Sequence, residues 1–227
     1  MKNDFSVFSG KVSLFDAPIA PFKDEWGNFT KATLNPVRSV DLMELHAAIT
    51  GSEVLRMANE LVLQESDYRK AKSRYLSYVT PFGEFSQRNA GGLVRLSGYF
   101  PIDIDKLRSR TEAEEVRDRL MEDPFLNVAL AFLSPSQKGV KLFVSYTHSL
   151  LYILDSIGHE REKANALQNS QSIYLRDVYF ADRPVVVDTT GKDMARACFL
   201  SYDPAARLDP ARLVRDSSSF DDSRESS

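Results

Sequence analysis

The rhythm of apolar and polar positions changes along the chain. Over residues 1–37, "FSVFSG", "VSLF", "PIAPF" and "TLNPVRS" are short extended pieces broken by Pro and Gly, which predicts a hairpin and a meandering arm. From Asp41 the spacing turns helical: in "VDLMELHAAI" Leu42, Leu45 and Ile49 share one face, and Gly51 ends the run. A second helix is expected from Glu53 to about Leu63. "SDYRKAKSRYL" gives a third, short and basic, from which Lys70, Lys72 and Arg74 project. Beyond Phe82, "FGEF" and "GGLVRLSGYFPIDID" read as strands separated by a glycine turn. "RTEAEEVRDRLMED" predicts a helix with Thr111 and Glu114 as a capping box and Asp123-Pro124 as its stop. "NVALAFLSPS" and "GVKLFVSYT" are apolar strands joined by "PSQKG", and "SLLYILDSIGHEREKANAL" predicts an amphipathic helix capped by Ser149. Further strands are expected at Val185–Val187 and Ala197–Tyr202.

From Leu96 the order is therefore β, α, β, β, α, β, which is that of a ferredoxin-like split βαβ unit. The expected class is α+β. Residues 1–37 would form an extended arm packed on a domain spanning 38–210, whose helical segment covers 38–80 and whose core covers 81–210. Residues 211–227 are expected to be a disordered, acidic, Ser-rich tail.

Charge changes this picture in one respect. The net charge is -3, and the final stretch "DSSSFDDSRESS" alone carries four acids and one arginine, so the body is neutral. A neutral body excludes a tight, salt-resistant DNA wrapper and leaves room only for local nucleic-acid contacts. Cys198 is the sole cysteine, which excludes an intrachain disulfide and fits a reducing compartment. Three scattered histidines offer no zinc-site spacing. "MKNDFSVFSG" has no apolar stretch of signal-peptide length, and no segment approaches about 18 apolar residues, so a cytoplasmic protein without a membrane partner is expected.

Three stretches carry candidate chemistry. In "SGYFPIDIDK", Asp103 and Asp105 stand two apart on a strand and so point to one face, with Ile102 and Ile104 on the other. Adjacent carboxylates repel unless something positive lies between them, and Mg²⁺ or Mn²⁺ fits such oxygen donors. Solvated edge residues meeting Lys106 or Arg108 are the plain alternative. In "SPSQKGVK", Ser134 and Ser136 hydroxyls, backbone N–H groups, Lys138 and Lys141 are suited to phosphate oxygens, although any hairpin needs a polar turn and no Walker A spacing is present. In "DMARACFLSYDP", Arg196 precedes a strand and Asp203 follows it. Asp203 would complete a carboxylate cluster with Asp103 and Asp105 while Arg196 meets a phosphate. Alternatively, Asp203-Pro204 is only a turn and Arg196 pairs with Asp193. His46 reads as a surface or packing residue and His148 as structural, His159 follows Gly158 in a charged region, and none has the nearby Ser, Cys or acid arrangement of nucleophilic catalysis. Trp26, Phe29, Tyr75 and Tyr78 have rings able to stack on bases, though most aromatics at this composition are core.

Taken in order, "GYFPIDID", "FLSPSQKGVKLFV" and "ARACFLSYDP" resemble the BT4734-like, VirE-associated N-terminal domain family of mobile-element primase–helicase proteins, itself related to the archaeo-eukaryotic primase superfamily. The likeness spans about Tyr68 to Pro204. It implies a primase-like core with an RRM-like split βαβ unit, and an added N-terminal helical segment. It also implies metal-binding aspartates at Asp103, Asp105 and Asp203. A nucleotide-phosphate turn is implied at Ser134, Pro135, Ser136, Gly139 and Lys141, with Arg196 nearby. Lys72 and Arg88 become candidates for template or nucleotide contacts. Two positions depart from the pattern: Gln137 stands where the family has a glycine, and the histidine of many primases has no counterpart beside Ser134 and Ser136. The implied activity is nucleotidyl transfer with Mg²⁺ or Mn²⁺, a nucleoside triphosphate and a single-stranded DNA template, alongside a replicative helicase. The rival expectations are a non-catalytic single-stranded nucleic-acid or helicase-binding module, a metal-dependent nuclease, and a plain interaction protein.

Overall fold

A computed structural model describes residues 8–146, 160–188 and 193–216. The arm begins with β1 (Lys11–Phe15), continues through the small hairpin β2 (Phe22–Lys23) and β3 (Phe29–Thr30), and returns in β4 (Arg38–Asp41). Three helices follow: α1 (Leu42–Gly51), α2 (Glu53–Gln64) and α3 (Tyr68–Tyr75). Asp41 caps α1 reciprocally with Glu44, and Leu42, Leu45 and Ile49 form its buried face, as their spacing predicts. Short strands β5 (Tyr78–Thr80), β6 (Gly83–Phe85) and β7 (Leu93–Leu96) lead into β8 (Tyr99–Asp105). Next come α4 (Arg110–Met121), β9 (Val128–Leu133), β10 (Val140–Ser145) and α5 (Glu160–Tyr174), whose end runs into one π-helical turn, Leu175–Tyr179. Two-residue strands close the chain: β11 (Val186–Val187), β12 (Cys198–Phe199) and β13 (Arg207–Leu208).

The architecture is mixed α and β, with five α-helices and antiparallel sheets among the described residues. A central sheet runs in the order β11-β8-β10-β9-β13, and a second runs β12-β5-β1-β4. Phe100, Ile102 and Ile104 of β8 and Val140, Leu142 and Val144 of β10 pack with Val116 and Leu120 of α4 and Ala164 of α5. The opposite face, with Tyr99, Ala129, Phe132 and Phe143, packs on Val12, Val40, Leu45, Val79 and Cys198. Burial on both faces explains why β9 and β10 read as nearly continuous apolar runs rather than alternating ones. Among the described residues, no helix is long and apolar enough to cross a membrane.

Several expectations change in detail. The α4 cap is Ser109, whose Oγ accepts from Glu112 N at 3.1 Å, while Glu114 is engaged by Arg110 Nε at 2.8 Å. The start moves two residues earlier because "SRTE" fits a cap as well as "TEAE" does. The arm is an integral layer, with β1 between β4 and β5. Residues 211–216 also pack on the body: Arg212 donates to the carbonyls of Met121 and Val128, and Asp216 meets Arg95 at 2.8 Å. His46 Nε2 lies 3.0 Å from Ala206 O, a packing role. His148, His159, the Ser149 cap and the tail from residue 217 lie outside the described residues.

The strand expected over Ala197–Tyr202 is reduced to β12 and joins β5 in the second sheet, whereas β11 forms the edge beside β8. Asp203 consequently turns into the interior. Arg117 Nη1 donates to its two carboxylate oxygens at 3.1 and 3.0 Å, and the backbone N–H groups of Leu133 and Ala205 donate at 2.9 and 3.1 Å. Their side chains are 4% and 1% exposed, so removing either partner strands a buried charge. Asp203→Ala or Arg117→Ala is expected to cost about 3–5 kcal/mol in chemical denaturation. Asp105→Ala, at an exposed position, should cost less than about 1 kcal/mol. Wild-type stability in Asp203→Ala would contradict this structural role.

Candidate functional site

The site grows out of one register. β8 and β10 pair antiparallel with Lys141 opposite Asp103, so both side chains leave the same face of the central sheet. Lys141 Nζ donates to Asp103 Oδ1 at 2.7 Å, with side-chain exposures of only 11% and 21%. Burial disfavours the Lys141 ammonium, but Asp103 beside it outweighs that and leaves its pKa above the usual lysine range. The positive group that two neighbouring carboxylates demand is thus supplied, at Asp103, by the protein itself.

Asp105 is in a different situation. No hydrogen bond or ion pair holds its carboxylate among the described residues, and it keeps contact with solvent at the rim of a groove. Partial desolvation by the groove walls raises its pKa, the charges of Asp103 and Asp188 push the same way, and Lys141 and Lys72 oppose them. Asp188 was not a sequence candidate. It follows β11 directly, donates its backbone N–H to Asp103 O at 3.0 Å, and forms an ion pair with Arg196. Since Val186 pairs with Asp105 and Val187 with Ile104, Asp188 comes level with Asp103 on the same face. The available signal was the acid that ends "VVVD", a second apolar-then-acid strand ending.

The serine turn closes one side. Ser134 N donates to Gly139 O and Gln137 N to Ser134 O, both at 2.8 Å, and the Ser134 and Ser136 hydroxyls lie 3.0 Å apart. Gln137 adopts φ +60°, the left-handed conformation that a glycine takes without strain. Gly139 is required sterically: a Cβ there would lie 2.5 Å from Ile104 O and 2.8 Å from Ser134 Oγ. The buried Asn59 of α2 donates to Pro135 O at 3.2 Å and accepts from Tyr202 N, which fixes the turn from behind.

Helix α3 supplies the other wall. Lys72 Nζ sits 5.5 Å from the Tyr68 ring centroid and 5.3 Å from that of Phe199. Burial and the nearby Lys141 lower its pKa, partly offset by Asp105 and Asp103. The groove measures about 550 Å³ and is open to solvent, within the size range of small-molecule sites. Asp103, Asp105, Ser134, Ser136, Lys138, Lys141, Arg196 and Lys72 all line it.

Two candidates lie elsewhere. Asp203 is held by Arg117, and Arg88 donates to Ile19 O at 3.3 Å over the Tyr78 ring, which ties down the arm. Among the described residues no three His, Cys, Asp or Glu side chains come together as a group that could hold a metal ion. The acidic donors around the groove are all carboxylate oxygens, a set that fits Mg²⁺ or Mn²⁺ rather than a soft metal, and Asp105 is the uncommitted one.

Two outcomes test this geometry. Gln137→Gly should be neutral or stabilising by up to about 1 kcal/mol, because relief of the left-handed backbone is offset by glycine's entropy. Gln137→Val should destabilise; a large loss in Gln137→Gly would mean that the side chain, not the backbone, holds the turn. Burial beneath the groove pushes the Cys198 thiol up to about 11. It should stay protonated in the folded protein near neutral pH and resist iodoacetamide until denaturant is added. Rapid labelling of native protein would contradict the packing of β12.

No curated protein and no solved structure shows significant similarity to this chain. Residues 70–207 match the family described as BT4734-like, N-terminal domain, and they contain the DID strand, the serine turn, Asp188 and Arg196. That match covers more than half of the sequence, and the chain belongs to the BT4734-like N-terminal domain family.

Proposed function

We propose that this protein carries out primase- or polymerase-like nucleotidyl transfer on a DNA template during mobile-element replication. The observation that carries the reading is the convergence on one groove of Asp103 and Asp105, the serine turn, and the cations Lys72, Lys138 and Arg196. The strand order β11-β8-β10-β9, with α4 after β8 and α5 after β10, supports an RRM-like split βαβ core related to primases. In this reading Asp103, Asp105 and Asp188 would hold Mg²⁺ or Mn²⁺, with Asp188 in the role that the family resemblance implied for Asp203. When bound, the cation neutralises phosphate charge and makes a 3′-hydroxyl more acidic.

The chain's own groups account for the rest. Lys138, exposed at the turn, and Lys72, partly desolvated between two rings, attract the triphosphate of an incoming nucleotide. The Ser134 and Ser136 hydroxyls donate to its oxygens. Arg196 bridges from Asp188 toward phosphate, and Lys141 acts through Asp103, whose carboxylate it orients. The product would be a strand extended by one nucleotide, with pyrophosphate leaving. A single-stranded DNA template and a helicase are the expected partners.

A second reading rests on a specific observation. Lys141 and Arg196 already neutralise Asp103 and Asp188, an arrangement that also suits a non-catalytic module which binds phosphates without metal. Purified protein given a primed template, nucleotides and Mn²⁺ or Mg²⁺ separates the two. Extension that is lost by at least about a hundredfold in Asp105→Ala supports the transferase, since removing a metal ligand removes charge stabilisation in the reacting complex. No extension with either metal, together with no nucleotide binding in calorimetry, would overturn it. Cleavage of end-labelled DNA without nucleotides would point to a nuclease instead.

A further inference from the structure

A second concavity of about 530 Å³ lies on the other side of α3, between that helix and the arm. Its charged lining is entirely basic: Lys23, Arg69, Lys70 and Arg74. For a body with no net charge this is a local concentration of cations. Lys70 is partly answered by Asp67 at 3.0 Å, whereas no acidic partner meets Arg69 among the described residues. Arg69 lines both this trench and the carboxylate groove, so the two are continuous along α3.

Flat rings accompany the charges. The Arg74 guanidinium stacks 4.2 Å from the Phe22 ring centroid, and the Arg74 Nε is buried without a hydrogen-bond acceptor. At the tip of the β2–β3 hairpin Trp26 is 79% exposed, and Phe29, which opens β3 opposite Lys23, is 59% exposed. Hairpin tips are ordinarily polar, and these rings contribute nothing to the core. The turn beneath them is nevertheless well built: Asp24 accepts from the N–H groups of Trp26 and Asn28 at 3.0 and 2.8 Å. The arm leading to it is fastened to α3 by Ile19 N donating to Ser73 O at 3.0 Å. A fixed hairpin presenting two uncovered rings beside a basic trench has the two components of a sequence-tolerant single-strand site, cations for the backbone and rings for the bases.

We infer that the α3–hairpin face is a single-stranded DNA track, with Arg69, Lys23 and Lys70 on the phosphates and Trp26 and Phe29 stacked on bases, which leads the strand past α3 into the carboxylate groove. The choice of DNA rests on the nucleotidyl-transfer reading; the track itself rests on the charges and rings. Trp26 is the only tryptophan, so its fluorescence reports directly on the hairpin tip.

Titration of the whole protein with an oligothymidylate of about twelve nucleotides, at about 50 mM salt without metal or nucleotide, should quench that fluorescence saturably. Binding should weaken steeply with added salt. Trp26→Ala should lower affinity, read by anisotropy of labelled DNA, by at least about fivefold, and Arg69→Glu by at least about tenfold. Both residues are exposed, so both variants should keep the wild-type circular dichroism spectrum. Equal affinity for a duplex of the same length, tighter binding of the matching RNA, or unchanged affinity in both variants would each overturn the inference. Nucleotide binding in calorimetry with no single-strand binding removes the track but leaves the transferase. Single-strand binding with no nucleotide binding leaves the track and removes the transferase.

Discussion

Everything around the groove depends on the pairing of β8 with β10. That register sets Lys141 against Asp103 and, through Val140 opposite Ile104, brings the serine turn down onto the end of β8. A slip of one residue would drive Asp103, Asp105 and Lys141 into the apolar layer under α4 and α5 and expose Ile102 and Ile104. The apolar residues on both faces therefore hold the charged pair in place, since only one register satisfies both layers. Lys141 makes the arrangement affordable: a carboxylate this close to the core is tolerated because its partner lies within hydrogen-bond distance.

The second sheet turns this pair into a site. Its strands come from the arm, from the segment after α3 and from the chain near its end, so it is assembled only when distant parts of the sequence meet. Phe199 and α3 roof part of the lower face of the central sheet and leave the groove open beyond it. Asp203 and Arg117 work beside this as a fastener, joining α4, the end of β9 and the turn after β12. The groove and its anchoring pair use the same residue types for opposite ends, one charge left uncommitted and the other fully satisfied.

That difference also marks what the sequence could and could not show. The helices α1 to α4 and the strands β8 to β10 were legible because each carries a local apolar period that survives into the fold. The serine turn and the two aspartates were legible for the same reason, being short and contiguous. The sheet joined by a two-residue strand is not a local property: β11 and β12 look alike in sequence, and only long-range pairing sends one beside β8 and the other beside β5. That Asp188 rather than Asp203 comes level with Asp103 has the same cause. Arg88, a candidate only through the resemblance, lies away from the groove because its partners, Ile19 and Tyr78, are brought to it by long-range packing of the arm. At Gln137 the sequence revealed a departure, but whether the backbone followed it is a matter of φ alone.

The central claim is that the uncommitted Asp105, with Asp103 and Asp188, receives a divalent cation together with a nucleotide's phosphates. Anomalous diffraction from crystals grown with Mn²⁺ and a non-hydrolysable nucleoside triphosphate addresses it directly. The account predicts a manganese peak coordinated by Asp105, with triphosphate oxygens reaching the Ser134–Lys141 turn. A groove in which Lys141 and Arg196 keep their carboxylates, no manganese touches Asp105 and the nucleotide lies elsewhere would contradict it.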